Sequence, residues 1–169
     1  MTMKNVLKHL VEATSIEAVW AILTKEMQKR GFDRLLYGFT RFRTATNLGN
    51  RDDMMVLANH SDDYVEKFFT PDIFTVAPMV TWASKNVGAM SWSWISDHND
   101  ELTKKQQRVL EFNRSHGVIA GYTISFPDSS SRQKAAIALT AREGISQTEV
   151  DALWRRKGEE IHLLTRWRT

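Results

Sequence analysis

The strongest constraint on the fold is a pair of apolar runs near the C-terminus. Val118 to Phe126 and Gln133 to Ala141 both read as strands, and the short polar connection through Pro127-Asp128-Ser129-Ser130-Ser131 joins them. A link this short fits a hairpin, because a parallel crossover needs roughly a dozen residues or more. An antiparallel sheet is therefore expected. Arg34 to Arg43 adds a third strand, with Leu36, Gly38 and Thr40 on one face and Leu35, Tyr37 and Phe39 on the other. Both faces carry apolar groups, so this strand is predicted to be covered on both sides. Met54 to Asn59 is a fourth strand, and Met90 to Ile95 reads as extended.

Helical patterns interrupt these strands. Residues 2–12 carry Val6, Leu7, Leu10 and Val11 on one stripe. Thr14-x-x-Glu17 is a capping-box pattern ahead of Ile16, Val19, Trp20, Leu23 and Met27, and Gly31 ends that helix after Lys29 and Arg30. The polar stretch Thr44 to Asp53 is a loop, and Ser61 caps a helix that places Tyr64, Val65 and Phe68 together until Thr70-Pro71 breaks it. Pro78 suits the first turn of a helix running to about Asn86, and Asp97 to Asp100 forms a polar turn. Thr103 to His116 is a helix stopped by Gly117, and Ser146-x-x-Glu149 opens a long one to about Trp167. The order predicts an α+β sandwich around one central sheet.

Several chemistries are disfavoured. The chain of 169 residues has no cysteine, hence no disulfide, thiol nucleophile or thiolate metal site. His9, His60, His98, His116 and His162 show no metal-binding spacing, and neither a glycine-rich phosphate loop nor a G-x-S-x-G elbow occurs. His116 stands at a helix end, where it satisfies the dipole, and His98 lies in a polar turn. Asp62, Asp63 and Glu66 read as a solvated helix face, as do the basic residues Arg155-Arg156-Lys157 and Arg166-Trp167-Arg168 of the last helix. No enzyme activity, cofactor or metal is expected. No run of apolar residues reaches membrane-spanning length, and no signal peptide pattern opens the chain, which points to a cytoplasmic protein without membrane contact.

The most aromatic stretch is Asp72 to Trp94, with three of the six tryptophans. It is either a core seam or the wall of an apolar pocket. Its residues belong to a wider pattern: Asn59-His60, Tyr64, Phe68, Ala77-Pro78-Met79-Val80 and Trp92. That ordered set resembles the autoinducer-binding domain of LuxR-type quorum-sensing regulators. Gly31-Phe32-Asp33-Arg34-Leu35-Leu36-Tyr37-Gly38 is similar to the family's first strand, Gly117 to Ile124 to its glycine-marked strand, and Ala136 to Thr140 to the strand that follows. The resemblance spans nearly the whole chain and implies an α/β/α sandwich with a central antiparallel sheet flanked by helices on both faces.

It also implies a function: a dimerising sensor that binds an N-acyl homoserine lactone, or another lipophilic signal, between sheet and helices. Carried over by position, His60 stands where the family has the tyrosine that bonds the acyl carbonyl. Tyr64 stands for the tryptophan that holds the lactone carbonyl, and Trp92 is kept beside the lactone ring. Ala77 replaces the aspartate that accepts the ligand's amide N–H, a bond worth about 1.5–3 kcal/mol. Another group then anchors the ligand, or the ligand is of a different class, or the pocket is only core. Leu36, Thr40, Phe68, Met79, Val80 and Trp82 would supply the apolar wall. Residues 1–169 are expected to form this single domain, without the family's helix-turn-helix unit, so that the chain alone binds no DNA. A ligand-independent decoy subunit, pairing with a full-length regulator, is the alternative.

Overall fold

A computed structural model describes residues 2–44, 48–128 and 130–166. Five strands form one antiparallel sheet: β1 (Phe32–Thr40), β2 (Met54–Ala58), β3 (Gly88–Ser91), β4 (Gly121–Ser125) and β5 (Lys134–Ala141), in the order β2-β1-β5-β4-β3. The expected hairpin is its centre, with Thr123 opposite Ala138 and Gly121 opposite Thr140. Strand β1 pairs on both edges, and its two apolar faces enter two separate core clusters, Leu35 and Tyr37 in one and Leu36 in the other.

One face is covered by α1 (Met3–Glu12), α2 (Ile16–Lys29) and α8 (Gln147–Thr165), whose Leu10, Leu23, Met27, Ile161 and Leu164 pack on Leu35, Ile137 and Leu139. On the other face lie α3 (Asp62–Phe68), α4 (Pro71–Phe74), α5 (Pro78–Lys85) and α7 (Lys104–Ser115), with Tyr64, Phe68, Phe74, Ala77 and Val109 in a second cluster. The α+β class and the α/β/α sandwich are thus both observed. No helix among the described residues is long and apolar enough to cross a membrane.

Local chemistry moved some boundaries. The hydroxyl that caps α2 is that of Ser15, accepting from the Ala18 N–H, not that of Thr14. Pro71 ends one helix but also occupies the first position of α4, where its missing N–H costs nothing. Met90 to Ile95 is not extended throughout: the Ser91 hydroxyl accepts the Ser93 N–H at 3.1 Å, and this local turn lifts the chain out of β3 into the short helix α6 (Ser93–Asp97). Ser61 and Ser146 cap their helices as the sequence predicts, and Thr103 adds a complete capping box with Gln106. Part of the predicted loop (45–47), Ser129 of the hairpin and Trp167 with Arg168 lie outside the described residues.

Candidate functional site

The space between the sheet and the second helical layer follows from side-chain size. Three rows cross the sheet on that face: Leu36–Ala138–Thr123, Gly38–Ala136–Ser125 and Arg34–Thr140–Gly121. Alanine stands at the centre of the first two rows and Gly38 beside it, so the helices rest on the rims and a cavity of about 190 Å³ is left over Gly38, Ala136 and Ala138. This exceeds the roughly 150 Å³ void that holds one benzene, and is below the roughly 300 Å³ at which pockets for larger ligands begin.

Its roof is aromatic. The Tyr64 ring stacks between His60, at 4.4 Å, and Phe112, at 5.2 Å, with Phe68 at 5.7 Å. Tyr64 is 4% exposed, and its hydroxyl donates to Asn113 Oδ1 at 2.8 Å. Burial raises the phenol pKa, against a smaller opposing effect of Arg34, so the group stays a neutral donor. His60 is half-buried, and its pKa is lowered to about 4, mainly by burial and also by Arg34 and His116, with Asp33 opposing. Its ring is therefore neutral at physiological pH.

The position of Asn113 depends on how α7 ends. Gly117 takes φ +70, its N–H bonds the Arg114 carbonyl, and the Val118 N–H bonds the Asn113 carbonyl at 2.8 Å, a Schellman closure. Arg34 then reaches across from β1 and donates to the free carbonyls of His116 and Gly117, at 3.1 and 3.0 Å. His116 bonds back to the Phe112 carbonyl and out to Asp63, which agrees with its expected role at the helix end. These contacts hold the end of α7 against the sheet.

Trp92 closes another side. Its indole N–H donates to the Thr123 hydroxyl at 2.9 Å, and its ring lies on Gly121, where an added Cβ would meet the ring at 3.0 Å and the Leu139 carbonyl at 2.1 Å. Only glycine at 121 allows that approach. Ala77 is 4% exposed and precedes α5 without any side-chain cap, so the Met79 and Val80 N–H groups lack partners among the described residues.

Of the residues singled out from the sequence, His60, Tyr64, Phe68, Ala77, Met79, Val80, Trp92 and Leu36 all line this cavity. Thr40 does not: it is buried, and its hydroxyl accepts the Phe42 N–H near the end of β1. Trp82 faces a separate cleft of about 320 Å³, with Trp94 and His98. The sequence reading missed Thr123, Thr140 and Asn113, which also line the cavity. Strand alternation places Thr123 and Thr140 on the face of Ala138, but nothing local marks that face as a cavity floor.

The family model for the autoinducer binding domain matches residues 15–167. The chain belongs to this family. Solved structures show the same fold at low identity. CepR2 of Burkholderia cenocepacia, an N-acylhomoserine lactone dependent LuxR family transcription factor, shares 14% identity over 97% of this chain and 91% of its own, with a TM-score of 0.72. The ligand-binding domain of VqsR from Pseudomonas aeruginosa shares 14% over 97% and 94%, with a TM-score of 0.63. SdiA, a protein of Escherichia coli, was solved in complex with octanoyl-rac-glycerol; it shares 16% over 97% of this chain and 66% of that one, with a TM-score of 0.63. No curated protein sequence matches the chain significantly. The autoinducer-binding family is one of regulators, and its members sense small molecules.

Proposed function

We propose that this autoinducer-binding domain senses a lipophilic acyl signal, bound in the cavity between the sheet and α3, α5 and α7. The observation that carries the reading is the cavity itself: a floor of Gly38, Ala136 and Ala138 facing Tyr64, Phe68 and Trp92. A void beneath an aromatic roof lowers stability unless something fills it. His60, which lines the cavity, is our candidate donor to an acyl carbonyl. Tyr64 is a weaker candidate for the lactone carbonyl, since its hydroxyl already donates to Asn113.

The cavity is small for a medium acyl chain, so binding requires the α5 side to shift. Met79 is suited to that role, because its unbranched side chain adapts its shape at low cost. That CepR2 depends on an N-acylhomoserine lactone and that SdiA takes octanoyl-rac-glycerol both support an acyl ligand. We further read the domain as a cytoplasmic homodimer.

Thermal unfolding with a panel of N-acyl homoserine lactones, monoacylglycerols and acyl esters is the test. A ligand held at a hundred times its Kd stabilises by about 2.7 kcal/mol, a shift of several degrees. No shift with any compound at saturation, together with co-purification with a full-length regulator, would favour the decoy role instead.

A further inference from the structure

The polar groups of the cavity are unevenly divided between donors and acceptors. No aspartate or glutamate stands among its described lining residues. Met79 and Val80 carry N–H groups that no group among the described residues accepts, because Ala77 has no side-chain acceptor and the first bond of α5 runs from Thr81 N–H to the Ala77 carbonyl. Asn113 uses its carbonyl oxygen for Tyr64, which leaves its amide protons. All of these groups can only donate.

An independent observation points to a ligand. Thr140 is 1% exposed and lines the cavity, yet its hydroxyl makes no hydrogen bond among the described residues. Native proteins rarely leave a buried polar group unpaired, and a missing ligand is one reason for such an exception. The Thr123 hydroxyl accepts from Trp92, so its own proton is also available. Neutral His60 offers one donor and one acceptor. Of the unpaired groups named here, those with a fixed role are donors, and the rest are hydroxyls or the single imidazole, which donate or accept.

We propose that the cavity selects an acyl ester or ketone, whose polar group only accepts hydrogen bonds, over an acyl amide. The carbonyl meets the bare N-terminus of α5, which also carries the partial positive charge of the helix dipole. This deepens the reading of the cavity as the signal site and rests on it.

A matched pair of ligands tests the idea: N-octanoyl homoserine lactone, and the ester in which oxygen replaces its amide N–H. Both are titrated calorimetrically into the whole chain. The ester is expected to bind about ten- to a hundredfold more tightly, since the amide would turn its N–H toward groups of which none has a fixed acceptor role. In Ala77→Asp the order should reverse, because a carboxylate accepts the amide N–H and repels the ester oxygen. Ala77→Asn, which introduces an acceptor without a charge, should narrow the gap. An amide bound as tightly as the ester by the unmodified chain would overturn the proposal, whatever the variants do. If neither compound binds, the signal-site reading falls first, and this proposal with it.

Discussion

Replacing Thr140 with valine separates the cost of an unpaired hydroxyl from its use. The change exchanges one oxygen for a methyl group and keeps the β-branched shape that suits strand β5. At 1% exposure and with no partner among the described residues, the hydroxyl has lost its water without gaining a bond. Such a group costs about 1–3 kcal/mol. The variant should therefore be more stable than the parent without ligand, by about 1–3 kcal/mol. Urea unfolding followed by circular dichroism would show a higher midpoint with an unchanged slope, and heating a shift of roughly 2–4 °C per kcal/mol. With an acyl ester the sign should reverse, since the bound carbonyl loses a donor worth about 1 kcal/mol. A ligand-free variant that is less stable than the parent would refute the reasoning, because the hydroxyl would then already be satisfied.

Three further outcomes follow from other contacts. Gly121→Ala should destabilise by about 3 kcal/mol or more, because the new methyl group collides with the Leu139 carbonyl, which cannot rotate away; a smaller loss on urea unfolding would mean that β4 and β5 can separate there. Lys134→Met should cost about 3 kcal/mol, as Nζ, in a residue only 2% exposed, donates to the carbonyls of Asn86 and Phe126 and faces Asp128; unchanged stability would show those acceptors to be hydrated. For His60 the pKa is about 4 in the folded chain and about 6.5 when unfolded, so between these values the unfolded chain binds the extra proton. Its contribution is complete above pH 6.5 and is lost as the pH falls towards 4, by no more than about 3 kcal/mol, and His60→Gln should flatten that slope in unfolding measured across the window.

Much of the fold was legible from local signals. The hairpin of β4 and β5, the caps at Ser61 and Ser146, and the proline of α5 depend on residues close together in the chain. Where two signals competed nearby, the reading slipped. Thr14 and Ser15 are both capable of capping α2, and the extended look of Met90 to Ile95 concealed the serine turn that starts α6.

The site was less legible, for a different reason. The resemblance named the roof, since His60, Tyr64, Phe68, Ala77 and Trp92 lie within one stretch. The floor arises from register: Gly38 meets Ala136 and Thr123 meets Ala138 only after three distant segments pair. Thr40 shares its strand face with Leu36, yet it lies two residues past Gly38 and outside the cavity. The hydrogen bond from Tyr64 to Asn113, which changes what Tyr64 can offer a ligand, spans 49 positions in sequence.

The central claim is that an acyl chain lies on the floor of small residues. Its most direct test is nuclear Overhauser spectroscopy with a ¹³C-labelled octanoyl ester and the methyl-labelled protein. The account predicts contacts from the acyl chain to the methyl groups of Ala136, Ala138 and Leu36. Contacts confined to the cleft of Trp82 and Trp94, or none at a saturating concentration, would contradict it.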